Sequence, residues 1–226
     1  MNFAIIVAAG IGNRMKSDLP KQFLNLDGLP IVMHTIDRFY QSTISEVILV
    51  ISEAMESYWN QLCVKYQFDR PIHIAFGGKT RFESVKNGID YIKQNFDIGP
   101  KDYIAVHDGA RPIISDDLIR KAFQGAYEHQ AIVLAQKSVE SVRLGNISTN
   151  TATDRNQIWL IQTPQVFLGA LLLKSYQQDE DPLFTDDASV VEKTGKSIYI
   201  VEGDSKNIKI TYPQDLQIAQ LYLKLI

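Results

Sequence analysis

Residues 3–15 read Phe3-Ala4-Ile5-Ile6-Val7-Ala8-Ala9-Gly10-Ile11-Gly12-Asn13-Arg14-Met15, and Leu19-Pro20-Lys21-Gln22-Phe23 follows closely. An unbroken apolar run ended by glycines reads as a buried strand feeding a tight loop. Gly10 and Gly12 can take positive φ and let backbone N–H groups approach a ligand closely. Such a loop is a nest for anionic oxygens. Arg14 and Lys21 add two positive charges near the same place. Strand, glycine loop and cations together predict a phosphate site. The plainer alternative is a glycine-rich β–α turn with two solvated cations.

The loop is not of the NTPase type, which needs four residues between its glycines and then Gly-Lys-Ser/Thr. The dinucleotide fingerprint needs a third glycine where this chain has Met15, which weakens a nicotinamide or flavin reading. What remains, Gly-x-Gly-x-Arg-Met and then Pro-Lys-Gln, resembles the loop of nucleotide-sugar pyrophosphorylases and cytidylyltransferases.

The chain has 226 residues, enough for one sizeable core. Its net charge of -3 gives no sign of a bulk nucleic-acid or membrane binder, so an anion site must be a local cluster. The single cysteine, Cys63, rules out an internal disulfide framework and a cysteine-based zinc site. Set between Leu62 and Val64 in a helical pattern, it reads as a buried structural thiol and not as a nucleophile. The first residues enter a strand without a basic, signal-type segment, and no apolar run approaches a membrane span. A cytoplasmic protein is expected.

Beyond the loop, residues 31–39 have helical spacing with Val32, Ile36 and Phe39 on one face. Residues 46–51 and 131–135 are continuous apolar runs, as expected of strands buried on both faces. Residues 72–76 and 103–106 read as strands ended by Gly77-Gly78 and by His107-Asp108-Gly109. Helices are expected over 52–68 with Ser52 as a candidate N-cap, over 80–96, and after Ser115. Strand and helix alternate, which predicts an α/β fold: a mostly parallel, Rossmann-like sheet covered by helices on both faces. Ligands of such sheets bind at the carboxyl ends of strands, where Gly10, Gly77-Gly78 and Asp108 are expected to converge.

The rhythm breaks over about 137–155. This polar segment is compatible with two short antiparallel strands around Leu144-Gly145-Asn146. Such a β-arm is marginal alone and would need a second subunit to pack on, or else it is a surface loop. The chain then returns through 158–167. A helix is expected over 186–194, with Asp186 and Asp187 forming a capped, solvated first turn, and a strand over 197–201. A last helix is expected to open with Thr211 and Gln214 at capping-box spacing and Pro213 in its first turn.

Eight segments, in order, then match one family. They are Ala8-Ala9-Gly10-x-Gly12-x-Arg14-Met15, Pro20-Lys21-Gln22-Phe23, Gly77-Gly78-x-x-Arg81-x-x-Ser84, His107-Asp108-Gly109-Ala110-Arg111-Pro112, Asp154-Arg155, Gln162-Thr163-Pro164-Gln165, Thr185-Asp186-Asp187-Ala188-Ser189 and Asn207-Ile208-Lys209-Ile210-Thr211. Over nearly its whole length the chain resembles the methylerythritol phosphate cytidylyltransferases.

The resemblance implies one nucleotidyltransferase domain over 1–226, dimerised through the arm. It implies transfer of CMP from CTP to methylerythritol phosphate, with release of pyrophosphate and with Mg²⁺, in non-mevalonate isoprenoid synthesis. Arg14 and Lys21 match the catalytic cations. Ala8, Ala9, Gly10, Gly12, Gly77, Gly78, Arg81, Ser84, Asp108 and Ala110 match nucleotide-binding positions, with Asp108 also near the metal. Arg155, Lys209, Ser141 and Thr185 match acceptor-positioning residues, and Arg155 is expected to enter the neighbouring subunit's pocket. His107 reads as a structural residue at a strand end. One segment departs from the family: Glu140, Ser141 and Arg143 stand where relatives carry Asp, Thr and Lys, which changes reach within the arm. Ribitol 5-phosphate cytidylyltransferase is the nearest rival. A non-catalytic nucleotide-binding regulator is the alternative of another class, and retention of both Arg14 and Lys21 argues against it.

Overall fold

The computed structural model describes every residue except Ile11, Lys16, Thr43 and Ile226, and the side chain of Asn13. The chain runs β1 (Asn2–Val7), β2 (Asn25–Leu26), β3 (Leu29–Pro30), α1 (Ile31–Tyr40), β4 (Glu46–Ile51), α2 (Glu56–Tyr66), β5 (Ile72–Phe76), α3 (Arg81–Asn95) and β6 (Tyr103–Asp108). It continues through α4 (Asp116–His129), β7 (Ala131–Lys137), β8 (Val142–Gly145), β9 (Asn150–Thr153), β10 (Trp159–Leu168), α5 (Gly169–Ser175), α6 (Asp187–Glu192), β11 (Tyr199–Glu202) and α7 (Pro213–Leu223).

The main sheet has the order β11-β7-β10-β6-β1-β4-β5. β10 runs antiparallel to β6 and β7, while β1, β4, β5 and β6 are mutually parallel and β11 is parallel to β7. The chain steps outward from β1 to β4 and β5, then returns to place β6 on the other side of β1. That reversal makes the β1/β6 border the switch point, the usual ligand site of open α/β sheets. Apolar side chains alternate faces along the central strands. Ala4 and Ile6 pack with Val32, Phe39 and Leu62 from α1 and α2, and Phe3 and Ile5 pack with Val85, Ile89 and Leu172 from α3 and α5. Burial on both faces explains why these strands read as unbroken apolar runs. The α/β sandwich predicted from the alternation is the observed one.

Several local expectations are corrected. Ser52 caps no α-helix, because a short 3₁₀ turn, Glu53–Met55, intervenes before α2. β6 extends through His107 and Asp108, so both are strand residues, fixed more tightly than loop residues would be. The arm is a hairpin of β8 and β9, but its turn lies at 146–149. There the Asn146 side-chain oxygen accepts from Ser148 N and Thr149 N, so the turn forms one residue later than Gly145 suggested. At α7 the Asp215 carboxylate, and not Gln214, accepts from Thr211 N and Tyr212 N, each at 2.8 Å. Cys63 is half-buried, and burial raises its thiol pKa, as suits a structural role.

Candidate active site

The loops after β1, β4, β5 and β6 open into one cleft of about 680 Å³. Ala9, Gly10, Gly12, Arg14 and Lys21 form one wall, Gly78, Arg81 and Ser84 the opposite one, and Asp108, Ala110 and Lys209 the floor between them. The convergence expected from the strand ends is therefore present. Sequence reasoning had overlooked Gln22, Ser52, Lys79 and Thr80, which also line it. Among the described lining residues, Arg14, Lys21, Lys79, Arg81 and Lys209 face a single carboxylate, Asp108. In a chain of net charge -3 this concentration of cations marks a site for a polyanion.

Each wall has a local cause. Gly12 sits at φ 73°, in the left-handed region, whereas Gly10 does not take positive φ. Gly10 instead offers its carbonyl to Gln22 Nε2 at 3.0 Å, which ties the loop to the Lys21–Phe23 turn. Met15, in the place of a third glycine, buries its side chain with Ile31, Ile113 and Ile210. Across the cleft, Gly77 approaches the β1 loop so closely that a Cβ would lie 2.3 Å from that of Ala9. Ser84 Oγ accepts from Gly78 N at 3.1 Å and donates to the Thr80 carbonyl at 2.8 Å. Thr80 caps α3 by accepting from Glu83 N. These contacts make a narrow slot of fixed shape. Ala8 and Gly77 shape its base from behind and do not line it.

The charged groups are linked across the floor. Asp108 is bonded to Lys209 Nζ at 3.0 Å and Arg111 Nε at 3.2 Å, with Arg81 Nε 3.9 Å away. Burial alone would raise its carboxyl pKa, but Lys209, Arg81 and Arg111 hold it well below the usual range. Lys21 donates to the Ile210 carbonyl at 2.6 Å. Its ammonium is pushed down to about 8 by burial first and then by Lys209, with Asp108 opposing. His107 is fully buried between Thr163 and the Arg111 carbonyl, and burial pushes it down to about 3. It is a neutral structural residue, as expected.

Asp187 is the largest surprise. The first turn of α6 reads as solvated, yet Asp187 is 0% exposed. Its two oxygens take both terminal nitrogens of Arg81 at 2.8 and 2.6 Å, and Tyr176 Oη donates to it at 2.7 Å. A buried carboxylate is tolerable only with such a partner. Arg81 is thereby aimed at the cleft from a partner 106 residues away, which no local pattern could reveal. Asp186 does cap α6, in a box with Ser189.

Other predicted residues lie elsewhere. Thr185 borders a smaller cavity of about 180 Å³ that shares Arg81 with the cleft. Ser141 and Arg155 sit at the base of the arm, both exposed, and Arg155 Nη1 donates to the Val139 carbonyl at 3.0 Å. Neither lines the cleft of its own chain. Among the described residues no three His, Cys, Asp or Glu side chains gather as a metal cluster. No described helix is long and apolar enough to cross a membrane.

At the switch point of an α/β sheet, a cleft walled by glycines and lined with cations suits the phosphates of a nucleotide, as in a nucleotidyltransferase. The sequence profile of the 2-C-methyl-D-erythritol 4-phosphate cytidylyltransferases matches residues 2–225, and the chain belongs to that family. It is 44% identical over 220 residues to the Phocaeicola vulgatus enzyme of that name, across 97% of this chain and 98% of the relative. The Clostridioides difficile enzyme is 37% identical, across 100% and 94%. A solved 4-diphosphocytidyl-2C-methyl-D-erythritol synthase superposes with a TM-score of 0.82 at 26% identity, covering 98% of both chains. The Francisella tularensis 2-C-methyl-D-erythritol 4-phosphate cytidylyltransferase gives 0.78 at 31%, covering 98% of this chain and 99% of that one.

Proposed function

We propose that the chain transfers CMP from CTP to 2-C-methyl-D-erythritol 4-phosphate and releases pyrophosphate. The observation that carries the reading is the cleft, which gathers the glycine slot beside Gly78 and Ser84, the carboxylate of Asp108 and the cations Arg14, Lys21 and Lys209 in one lining. The slot, walled by Gly78 and Ser84, takes cytosine and ribose. Arg14, Lys21 and the Gly10–Gly12 backbone take the triphosphate. Lys209 and Thr185 take the acceptor, joined by Arg155 and Ser141 of a partner subunit. A phosphate oxygen of the acceptor attacks the α-phosphorus in line. The new O–P bond forms as the bond to the β-phosphate oxygen breaks, and pyrophosphate departs. No protein nucleophile is needed. A strong general base is not needed either, because a phosphate monoester is already ionised.

Charge builds on the α-phosphate and on the leaving group, so fixed cations there stabilise the transition state more than the ground state. Mg²⁺ suits the donor set: Asp108 offers one hard oxygen and the triphosphate offers the rest. When bound, it supplies further neutralisation of the phosphate charge. The unit proposed is a homodimer of single-domain chains joined through their arms, working in the cytoplasm, where CTP is made.

Labelled CTP tests the reaction type. Label at the α-phosphate should appear in the cytidylylated polyol, and label at the γ-phosphate in pyrophosphate. Transfer of the γ-label to the acceptor would make the chain a kinase instead.

The position of Lys21 gives a pH signature. Its lowered pKa means that the free protein loses this charge as pH rises through about 8. The triphosphate favours the protonated form, so kcat/KM for CTP should fall about tenfold per pH unit above that value. Lys21→Arg, whose charge does not titrate there, should lack the falling limb. The same limb in both proteins would assign it to another group.

A further inference from the structure

Arg14 is held in an unusual way. Among the described residues its guanidinium makes no hydrogen bond or ion pair, and it lies over the ring of Tyr212, with the guanidinium carbon 5.7 Å from the ring centroid. That is within range of a cation–π contact, which orients a guanidinium without consuming its donors. Tyr212 is itself fixed from behind. Its backbone N–H donates to the Asp215 carboxylate, and Pro213 follows at the start of α7. The segment it ends runs along the cleft floor: Lys209 binds Asp108, the Ile210 carbonyl receives Lys21, and the Ile210 side chain packs in the cluster that holds Met15. One strap thus touches both cations of the phosphate wall, through a carbonyl for Lys21 and through a ring for Arg14.

Resting on the function proposed above, we infer that Tyr212 is a positioning residue for the transfer, its ring serving as the platform that holds Arg14 over the triphosphate with all its N–H donors free. The ring is suited to this and to little else. Its hydroxyl makes no hydrogen bond among the described residues, and the residue is 47% exposed, so the fold does not depend on it. The first turn of α7 is capped through the Tyr212 backbone, which a side-chain replacement leaves in place.

Tyr212→Phe, Tyr212→Leu, Arg14→Ala and the double variant Tyr212→Leu/Arg14→Ala test this. Tyr212→Phe keeps the ring and should turn over within twofold of the unmodified chain. Tyr212→Leu keeps bulk but removes the π face and should lower kcat about two- to fivefold, the range of an exposed cation–π contact. In the Arg14→Ala background the leucine should cost nothing further, because a residue acting through Arg14 has nothing left to act on. The same loss in both backgrounds, or unchanged kcat in Tyr212→Leu, would overturn the proposal. A second readout is independent of turnover: the Arg14 Hδ resonances should lie upfield in the unmodified chain and in Tyr212→Phe, and return downfield in Tyr212→Leu. Unshifted resonances in the unmodified chain would overturn the platform. Shifted resonances in a chain with no transferase activity would overturn the function proposed and leave the contact standing.

Discussion

Lys21→Ala and Arg14→Ala should each lower kcat by about two to three decades, the usual cost of removing one preorganised donor from developing charge. Neither change should unfold the protein. Arg14 is exposed at the cleft mouth and has no ion pair among the described residues to orphan. Lys21 is buried, but its removal leaves only the Ile210 carbonyl without that donor. Burial of the ammonium beside Lys209 makes the free site electrostatically tense. A triphosphate relieves this tension, and the transition state, with more charge on the leaving group, relieves it further. The expected signature is therefore a fall in kcat and in kcat/KM together. A raised KM with kcat near its original value in both variants would mean that the two cations hold ground and transition state alike.

Mixing an Arg155→Ala chain with an Arg14→Ala chain should restore activity that neither has alone. Arg155 stands outside the cleft of its own chain, at the base of an arm whose Val139, Leu144 and Ile147 are exposed. A two-stranded hairpin with apolar residues in water is marginal, and packing on a second subunit would stabilise it. If the arms cross, Arg155 reaches the partner's acceptor phosphate, where its planar fork can hold two oxygens and leave a third aimed at the α-phosphorus. In the heterodimer one site carries both defects and the other neither, so one of two sites works. Arg155→Ala alone should raise KM for the acceptor and lower kcat while leaving CTP affinity nearly unchanged. Heterodimers shown to form but without recovered activity would place Arg155 in its own chain's site.

The central strands were legible because burial on both faces leaves an unbroken apolar signature, as in 46–51 and 131–135. The direction of β10 was not, since the residues of a strand read the same whichever way it pairs with its neighbours. Its register shift between Gln162 and Gln165, around Pro164, is likewise a matter of pairing and not of composition. In the cleft, the glycines and charges at strand ends stood out, namely Gly10, Arg14, Gly78 and Asp108, as did Lys21 in its Pro-Lys-Gln turn. Asp187 did not, because two aspartates at a helix start look like a solvated cap until Arg81 arrives from α3. Tyr212 did not either, because a tyrosine before a proline says nothing of the guanidinium it meets across the fold. Gln22 belongs to the Pro-Lys-Gln-Phe motif, yet its bond to the Gly10 carbonyl appears only when the loop closes on the 3₁₀ turn.

The most direct test of the account is the acceptor. With CTP and Mg²⁺ supplied, pyrophosphate release should be followed across a panel of polyol phosphates that includes 2-C-methyl-D-erythritol 4-phosphate and ribitol 5-phosphate. The highest kcat/KM is predicted for the methylerythritol ester. A higher kcat/KM for ribitol 5-phosphate would contradict the assignment and make the chain the related polyol enzyme.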